Sequence, residues 1–208
     1  MGLCRFHLLG GHMSPRDLGV VLAGGRSRRM GRDKALLEID GETFLARVAR
    51  TLTQSTGGHV VVSVAGETSL HTEAAWLIIA DAPDLHDHGP IAGVVSAMRW
   101  ATKGAFDRIV TLPVDMPFVA APAISYLLET ARAASVAGTG GNPIPTFAVW
   151  PLSMLDTIEQ LVRQDRVRAL HQVQARLGAA YVSMDAFEPL QFVNVNTPED
   201  FAGASTKR

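Results

Sequence analysis

The residues from Leu18 to Glu38, LGVVLAGGRSRRMGRDKALLE, carry the densest candidate chemistry in this chain. Gly24 and Gly25 remove side chains at a point where the backbone can bend and approach a ligand closely. Arg26, Arg28, Arg29, Arg32 and Lys34 follow, five cations within nine residues, with Asp33 the only acid among them. Backbone NH groups at a small-residue bend, followed by a run of cations, suit concentrated negative charge, and the stretch reads as a phosphate grip. The two commoner glycine-rich phosphate loops do not fit. GxGxxG needs glycine where Arg26 stands, and the P-loop needs Lys and then Ser or Thr where Arg32 and Asp33 stand. A different nucleotide loop is implied; the competing reading is a strand-to-loop turn with a solvated basic run.

Asp115 is the second anchor. It lies in LPVDMP, between Pro113 and Pro117, and flanking prolines hold a carboxylate on stiff backbone. Mg²⁺ delivered with a nucleoside triphosphate prefers oxygen ligands and takes one or two carboxylates together with substrate phosphates, which Asp115 can supply. A turn-forming Asp is the plainer alternative. Lys34, at the end of the basic loop, suits a fixed charge for phosphate oxygens, and Arg28 a similar one, although an arginine so near a strand end also forms structural ion pairs. Asp81 could accept from a guanine edge or a sugar hydroxyl, or simply be solvated. Asn194 and Asn196 could touch metal or substrate, or punctuate the start of a helix. His86 and His88 flank Asp87 but lack further ligands at metal-binding spacing, so a polar loop is the better reading. No nucleophile elbow with Ser, His and Asp is present, which argues against a hydrolase.

Bulk properties set limits on what these groups can do. A chain of 208 residues suits one domain with a continuous core, and 47% apolar with 19% charged residues indicates a folded protein. The net charge of −1 gives no whole-molecule attraction to nucleic acid or membrane, so anion binding must be local. One cysteine, Cys4, excludes an internal disulfide and a cysteine metal cluster; with no membrane-length apolar run, this points to a soluble protein in a reducing compartment, the cytoplasm. Residues 1–13 are read as a disordered or cloning-derived leader, its short apolar part being interrupted by Arg5, His7 and His12, and residues 14–208 as a single domain.

The elements that must position these groups follow from periodicity. Leu18 to Leu22 predicts a strand buried on both faces. Phe44, Leu45, Val48 and Leu52 share a helical face that ends at Gly57 and Gly58. Strands are expected at Val60 to Val64, Trp76 to Ala80, Arg108 to Leu112, Ser135 to Val136, Pro145 to Trp150 and Ala180 to Ser183, with Phe192 to Val195 extended and Asp84 to His88 a polar loop. Further helices are expected from Pro90, from Pro122, over Leu152 to Val162, over Asp165 to Leu177 with Asp165 as N-cap, and from Thr197. Alternating strand and helix with no repeat implies an α/β fold, a mainly parallel sheet covered on both faces. Ligands gather at the carboxyl ends of such strands, where the basic loop, Asp81 and Asp115 all fall.

LAGGRSRRMGRDKALLEIDG resembles the signature loop of the molybdenum cofactor guanylyltransferase family, and the likeness continues through GPIAG (Gly89 to Gly93), LPVDMPF (Leu112 to Phe118), PTFAV (Pro145 to Val149) and FVNVNTPEDF (Phe192 to Phe201). The resemblance implies a three-layer, Rossmann-like nucleotidyltransferase fold. It also implies transfer of GMP from GTP to the phosphate of molybdenum-molybdopterin, yielding the guanine dinucleotide cofactor and pyrophosphate. By position, Leu22, Ala23, Gly24, Lys34, Ser63, Asp81 and Asp115 would contact GTP, with Asp115 holding Mg²⁺. Lys34, Arg28 and the Gly24 and Gly25 NH groups would neutralise the leaving pyrophosphate. Recipient molybdoenzymes or other cofactor-biosynthesis proteins are the implied protein partners. The family usually has asparagine at the position of Ser63, and a histidine before PT where Ile144 stands here. Rival readings are a nucleotidyltransferase using CTP or acting on a sugar or isoprenoid phosphate, and a non-catalytic nucleotide-binding paralogue.

Overall fold

In the computed structural model, which describes residues 16–24, 34–66, 76–85, 88–164, 166–196 and 200, the chain enters the sheet through β1 (Asp17–Leu22). Its side chains alternate between two apolar layers, Val21 packing to one side and Leu18, Val20 and Leu22 to the other, as a strand covered on both faces requires. After the segment carrying most of the basic loop, a short hairpin of β2 (Glu38–Ile39) and β3 (Glu42–Thr43) turns at Asp40 and Gly41, both with positive φ, 55° and 76°. Thr43 then caps α1 (Phe44–Ser55), its hydroxyl accepting from the Ala46 amide at 3.1 Å.

The remaining elements are β4 (Val60–Val64), β5 (Leu77–Ala80), α2 (Pro90–Ala101), β6 (Arg108–Pro113), α3 (Ala121–Thr130), β7 (Ser135–Thr139), β8 (Asn142–Pro151), α4 (Leu155–Arg163), α5 (Leu170–Arg176) and β9 (Ala180–Ser183). Seven strands form one sheet in the order β5-β4-β1-β6-β8-β7-β9. β8 runs antiparallel to both neighbours and every other pair is parallel, so the mainly parallel sheet expected from the sequence is present. α1 and α3 cover one face through Phe44, Val48, Leu52, Ile124 and Leu127. α2, α4 and α5 cover the other through Ile91, Val95, Met98, Ile158, Val162 and Val173, giving three layers.

Several local expectations are corrected. Strand–helix alternation breaks at Gly140 and Gly141, whose positive φ values, 54° and 77°, turn β7 directly into β8. β8 therefore begins at Asn142 rather than Pro145. The helix expected from Leu152 starts as a 3-10 turn, Leu152–Met154, before α4. The helix expected from Asp165 begins only at Leu170; Asp165 itself lies outside the described residues. The predicted polar loop after Asp81 contains a 3-10 turn, Pro83–Leu85, because Leu85 is buried beneath it. Phe192 closes another 3-10 turn, Pro189–Phe192, and extended backbone starts at Val193. The readings of residues 1–13, Gly25, Arg28, His86 and the helix start at Thr197 also lie outside the described residues. No helix among the described residues is long and apolar enough to cross a membrane.

Candidate active site

β1 is where the sheet order reverses: the chain moves from β1 to β4 and β5 on one side, then places β6 on the other. A crevice opens at the carboxyl end of strands around such a reversal. Leu22 closes β1 there, in register with Ser63 of β4 and Pro113 of β6. The Ala23 amide donates to the Ser63 carbonyl at 2.8 Å, and the Val114 amide donates to the Leu22 carbonyl at 3.1 Å. The sheet ladder thus runs one residue past β1, and backbone donors for an anion must come from Gly24 onward. Gly24 is exposed, and a Cβ there would stand 3.2 Å from the Ala65 amide nitrogen, so a side chain would crowd β4's exit from the sheet.

Lys34 approaches the same rim from the other side of the basic loop. It opens a 3-10 turn, Lys34–Leu36, seated on the core by the fully buried Ala35. The turn is tied to α1 through the Phe44 amide, which donates to the Leu37 carbonyl at 2.7 Å, while the Arg47 guanidinium donates to the Ile39 carbonyl at 3.1 Å and braces the hairpin. From this mount the Lys34 ammonium reaches the Asp115 carboxylate at 3.4 Å and donates to the Asn196 carboxamide oxygen at 2.5 Å.

Asp115 is stiffened as its prolines suggest. Pro113 ends β6, the Met116 amide closes a turn onto the Pro113 carbonyl at 3.2 Å, and Met116 is wholly buried. The Asp115 carbonyl also accepts from the Val195 amide at 2.8 Å, which carries Asn196 to the ion pair. Asn196 in turn donates its own amide to the Asp200 carboxylate at 2.9 Å. Of the two asparagines left open by the sequence, the structure brings Asn196 to Lys34 and leaves Asn194 exposed.

Asp81 lies at the other end of the rim, where β5 ends. Its amide donates to the Val64 carbonyl at 2.9 Å, and its carboxylate accepts from the Ser63 hydroxyl at 3.2 Å. Ser63 is only 1% exposed, so its hydroxyl serves Asp81 rather than facing the crevice. Gly93 of α2 explains the burial: a Cβ there would lie 2.8 Å from Ser63 Oγ and 3.2 Å from Leu22 Cδ2. Of the residues singled out in the sequence, Leu22, Ala23, Gly24, Lys34, Ser63, Asp81 and Asp115 thus share one edge of the sheet, while Gly25 and Arg28 lie outside the described residues. The Asn196 link had only a weak signal, an asparagine in an extended stretch before a helix start.

Among the described residues no group of three or more His, Cys, Asp or Glu side chains is placed to hold a metal by itself. The donor set at the rim, one carboxylate beside a carboxamide oxygen, is nevertheless hard oxygen. It fits Mg²⁺ arriving with a triphosphate, since that ion takes few protein ligands and completes its shell with phosphate and water.

Comparison with known proteins places the chain among nucleotidyltransferase relatives. Residues 19–179 match the family described as MobA-like NTP transferase domain. The molybdenum cofactor guanylyltransferase of Sinorhizobium fredii is 35% identical over 206 residues, covering 92% of this chain and 91% of that one. That of Cereibacter sphaeroides is 32% identical over 193 residues, covering 92% and 96%. Molybdopterin-guanine dinucleotide biosynthesis protein A from Archaeoglobus fulgidus superposes with a TM-score of 0.72 at 24% identity, covering 91% of this chain and 97% of the other, a likeness of fold. With Gly24 and a rigid aspartate on one sheet edge, and relatives above 30% identity along nearly its whole length, the chain belongs to the molybdenum cofactor guanylyltransferase family.

Proposed function

We propose that this protein transfers GMP from GTP to the terminal phosphate of molybdenum-molybdopterin, working in the cytoplasm with Mg²⁺. The observation that carries the reading is the meeting of Lys34, Asp115 and Asn196 on the rim beside Leu22 to Gly24. The acceptor phosphate attacks the α-phosphorus, a new P–O bond forms, the bond to the β-phosphate oxygen breaks, and pyrophosphate leaves. The attacking group is already an anion, so no strong general base is required and the work is alignment and charge neutralisation.

In this reading Asp115, with Asn196 beside it, would hold Mg²⁺, which would supply neutralisation of charge on the phosphates. Lys34 turns its ammonium to the leaving phosphates, the Gly24 and Gly25 NH groups and Arg28 add donors from the basic loop, and Asp81 receives the nucleoside. Ser63 acts through Asp81, to whose carboxylate its buried hydroxyl donates.

The test is pyrophosphate release by the purified protein with molybdenum-molybdopterin and each Mg-nucleotide in turn. Release with GTP, lost on chelation of Mg²⁺ and at most marginal with ATP, CTP or UTP, is the expected result. Equal or greater release with CTP, or activity with a sugar phosphate in place of the pterin, would overturn the assignment, and GTP binding without release would identify a non-catalytic relative.

A further inference from the structure

One face of α2 touches the backbone and side chains that define the Asp81 end of the rim at three successive levels. Gly93 fits against Ser63, the hydroxyl that donates to Asp81. One turn on, the buried Ser96 hydroxyl accepts from the Ala82 amide at 2.8 Å. One turn further, Arg99 forms a two-pronged pair with Asp84, 2.9 Å at each contact, and donates through Nε to Glu159 of α4 at 2.7 Å. Arg163 of α4 closes the cluster by donating to Asp84 Oδ2 as well, at 2.9 Å. The forked guanidinium suits this work because two parallel bonds fix orientation as well as distance.

We propose that Arg99 is a positioning residue for nucleoside binding: by clamping Asp84 to α2 and α4 it fixes the turn after β5 and so sets where the Asp81 carboxylate stands. The inference rests on the guanylyl-transfer reading and adds to it a residue that never touches the nucleotide. None of the motifs that carry the family resemblance includes Arg99, Asp84 or Glu159. The Asp81 amide is tied to the Val64 carbonyl and the next amide, Ala82, to Ser96, and the Asp84 clamp holds the chain where it leaves Ala82; without the clamp the Ser96 bond alone keeps that side of Asp81 in register. Lys34 and Asp115 lie on other elements and keep their geometry.

This separation gives the proposal its own kinetic signature. An interaction that orients bound nucleoside equally in the ground and transition states alters KM and leaves kcat unchanged. KM for GTP, kcat for pyrophosphate release and the melting temperature should be measured for wild type, Arg99→Met and Arg99→Lys. Arg99→Met should raise KM for GTP about tenfold with kcat held within about twofold, a loss equivalent to one charge-assisted hydrogen bond. Arg99→Lys, which keeps the charge but not the fork, should recover part of the loss. A lowered melting temperature with KM unchanged, or a fall in kcat alone, would overturn the positioning role. Wild type that releases no pyrophosphate with GTP would overturn the guanylyl reading, and this role with it.

Discussion

Lys34 and Asp115 are 81 positions apart in sequence and 3.4 Å apart in space, at the mouth formed where β1 and β6 end side by side. Their side chains are only 16% and 24% exposed, so water screens their charges incompletely, and each is held by an element with its own reason to be rigid. A 3-10 turn seated on the buried Ala35 mounts the lysine; a proline-bounded turn, itself bonded to Val195, mounts the aspartate.

If these two groups do the electrostatic work proposed, Lys34→Ala and Asp115→Asn should each lower kcat for pyrophosphate release by about a hundredfold or more, as for the loss of one preorganised charge-stabilising group. Steady-state kinetics on folded variants decides it. Near-normal turnover in either would remove that residue from the mechanism.

Asn196 bridges the same ammonium from a third element. Asn196→Ala should cut kcat by about tenfold, the equivalent of one charge-assisted hydrogen bond, with the melting temperature little altered because the side chain is at the surface. A loss confined to stability would make Asn196 a structural strut.

Gly93 is a packing constraint that stability and binding should both report. Gly93→Ala places a methyl 2.8 Å from Ser63 Oγ, which must move off Asp81 or force the helix outward. Overpacking of this kind costs about 1–3 kcal/mol, and urea unfolding should show it together with weaker GTP binding. An unchanged urea midpoint would contradict the close packing.

Away from the rim, the Trp150 indole donates to Thr111 Oγ1 at 3.1 Å with both residues buried. Thr111→Val keeps the shape but leaves that N–H without an acceptor, a loss of about 1–3 kcal/mol that chemical denaturation should resolve. Guanylyl transfer at 25 °C should be unaffected.

The Asp84 cluster sets a pH dependence. Hydrogen bonds from Arg99, reinforced by its charge and by Arg163, hold the Asp84 carboxyl far below the usual carboxylate range. A depressed folded-state value stabilises the protein at every pH above that of the unfolded chain, about 3.9. Below it the unfolded chain takes up a proton the folded one refuses, and stability falls. The difference in urea midpoint between wild type and Asp84→Asn should therefore be flat from about pH 5 to 8 and shrink below about pH 4. A gap that widened in acid would reverse the sign of the interaction.

Much of the fold was legible because periodicity and punctuation agree locally. β4 and β9 fall at the expected bounds, Val60–Val64 and Ala180–Ser183, and α1 where the apolar stripe of Phe44, Leu45, Val48 and Leu52 places it. β8 extends back to Asn142 because the tight turn at Gly140 and Gly141 lets β7 complete its hydrogen bonds, a hairpin that the expected strand from Pro145 left out, and α5 starts late, at Leu170, although Asp165 offered an earlier cap.

The sequence by itself determined the chemistry available: a glycine bend, a cationic run and an aspartate between prolines, each set by the properties of a few adjacent residues. The tertiary structure alone decided which of these groups meet. Whether Lys34 faces Asp115, whether Asn194 or Asn196 joins them, and whether Ser63 touches a ligand or only Asp81 depend on strand order and on Gly93 letting α2 close against β4. Those distances follow from packing summed over the whole core, which no local pattern of residues encodes.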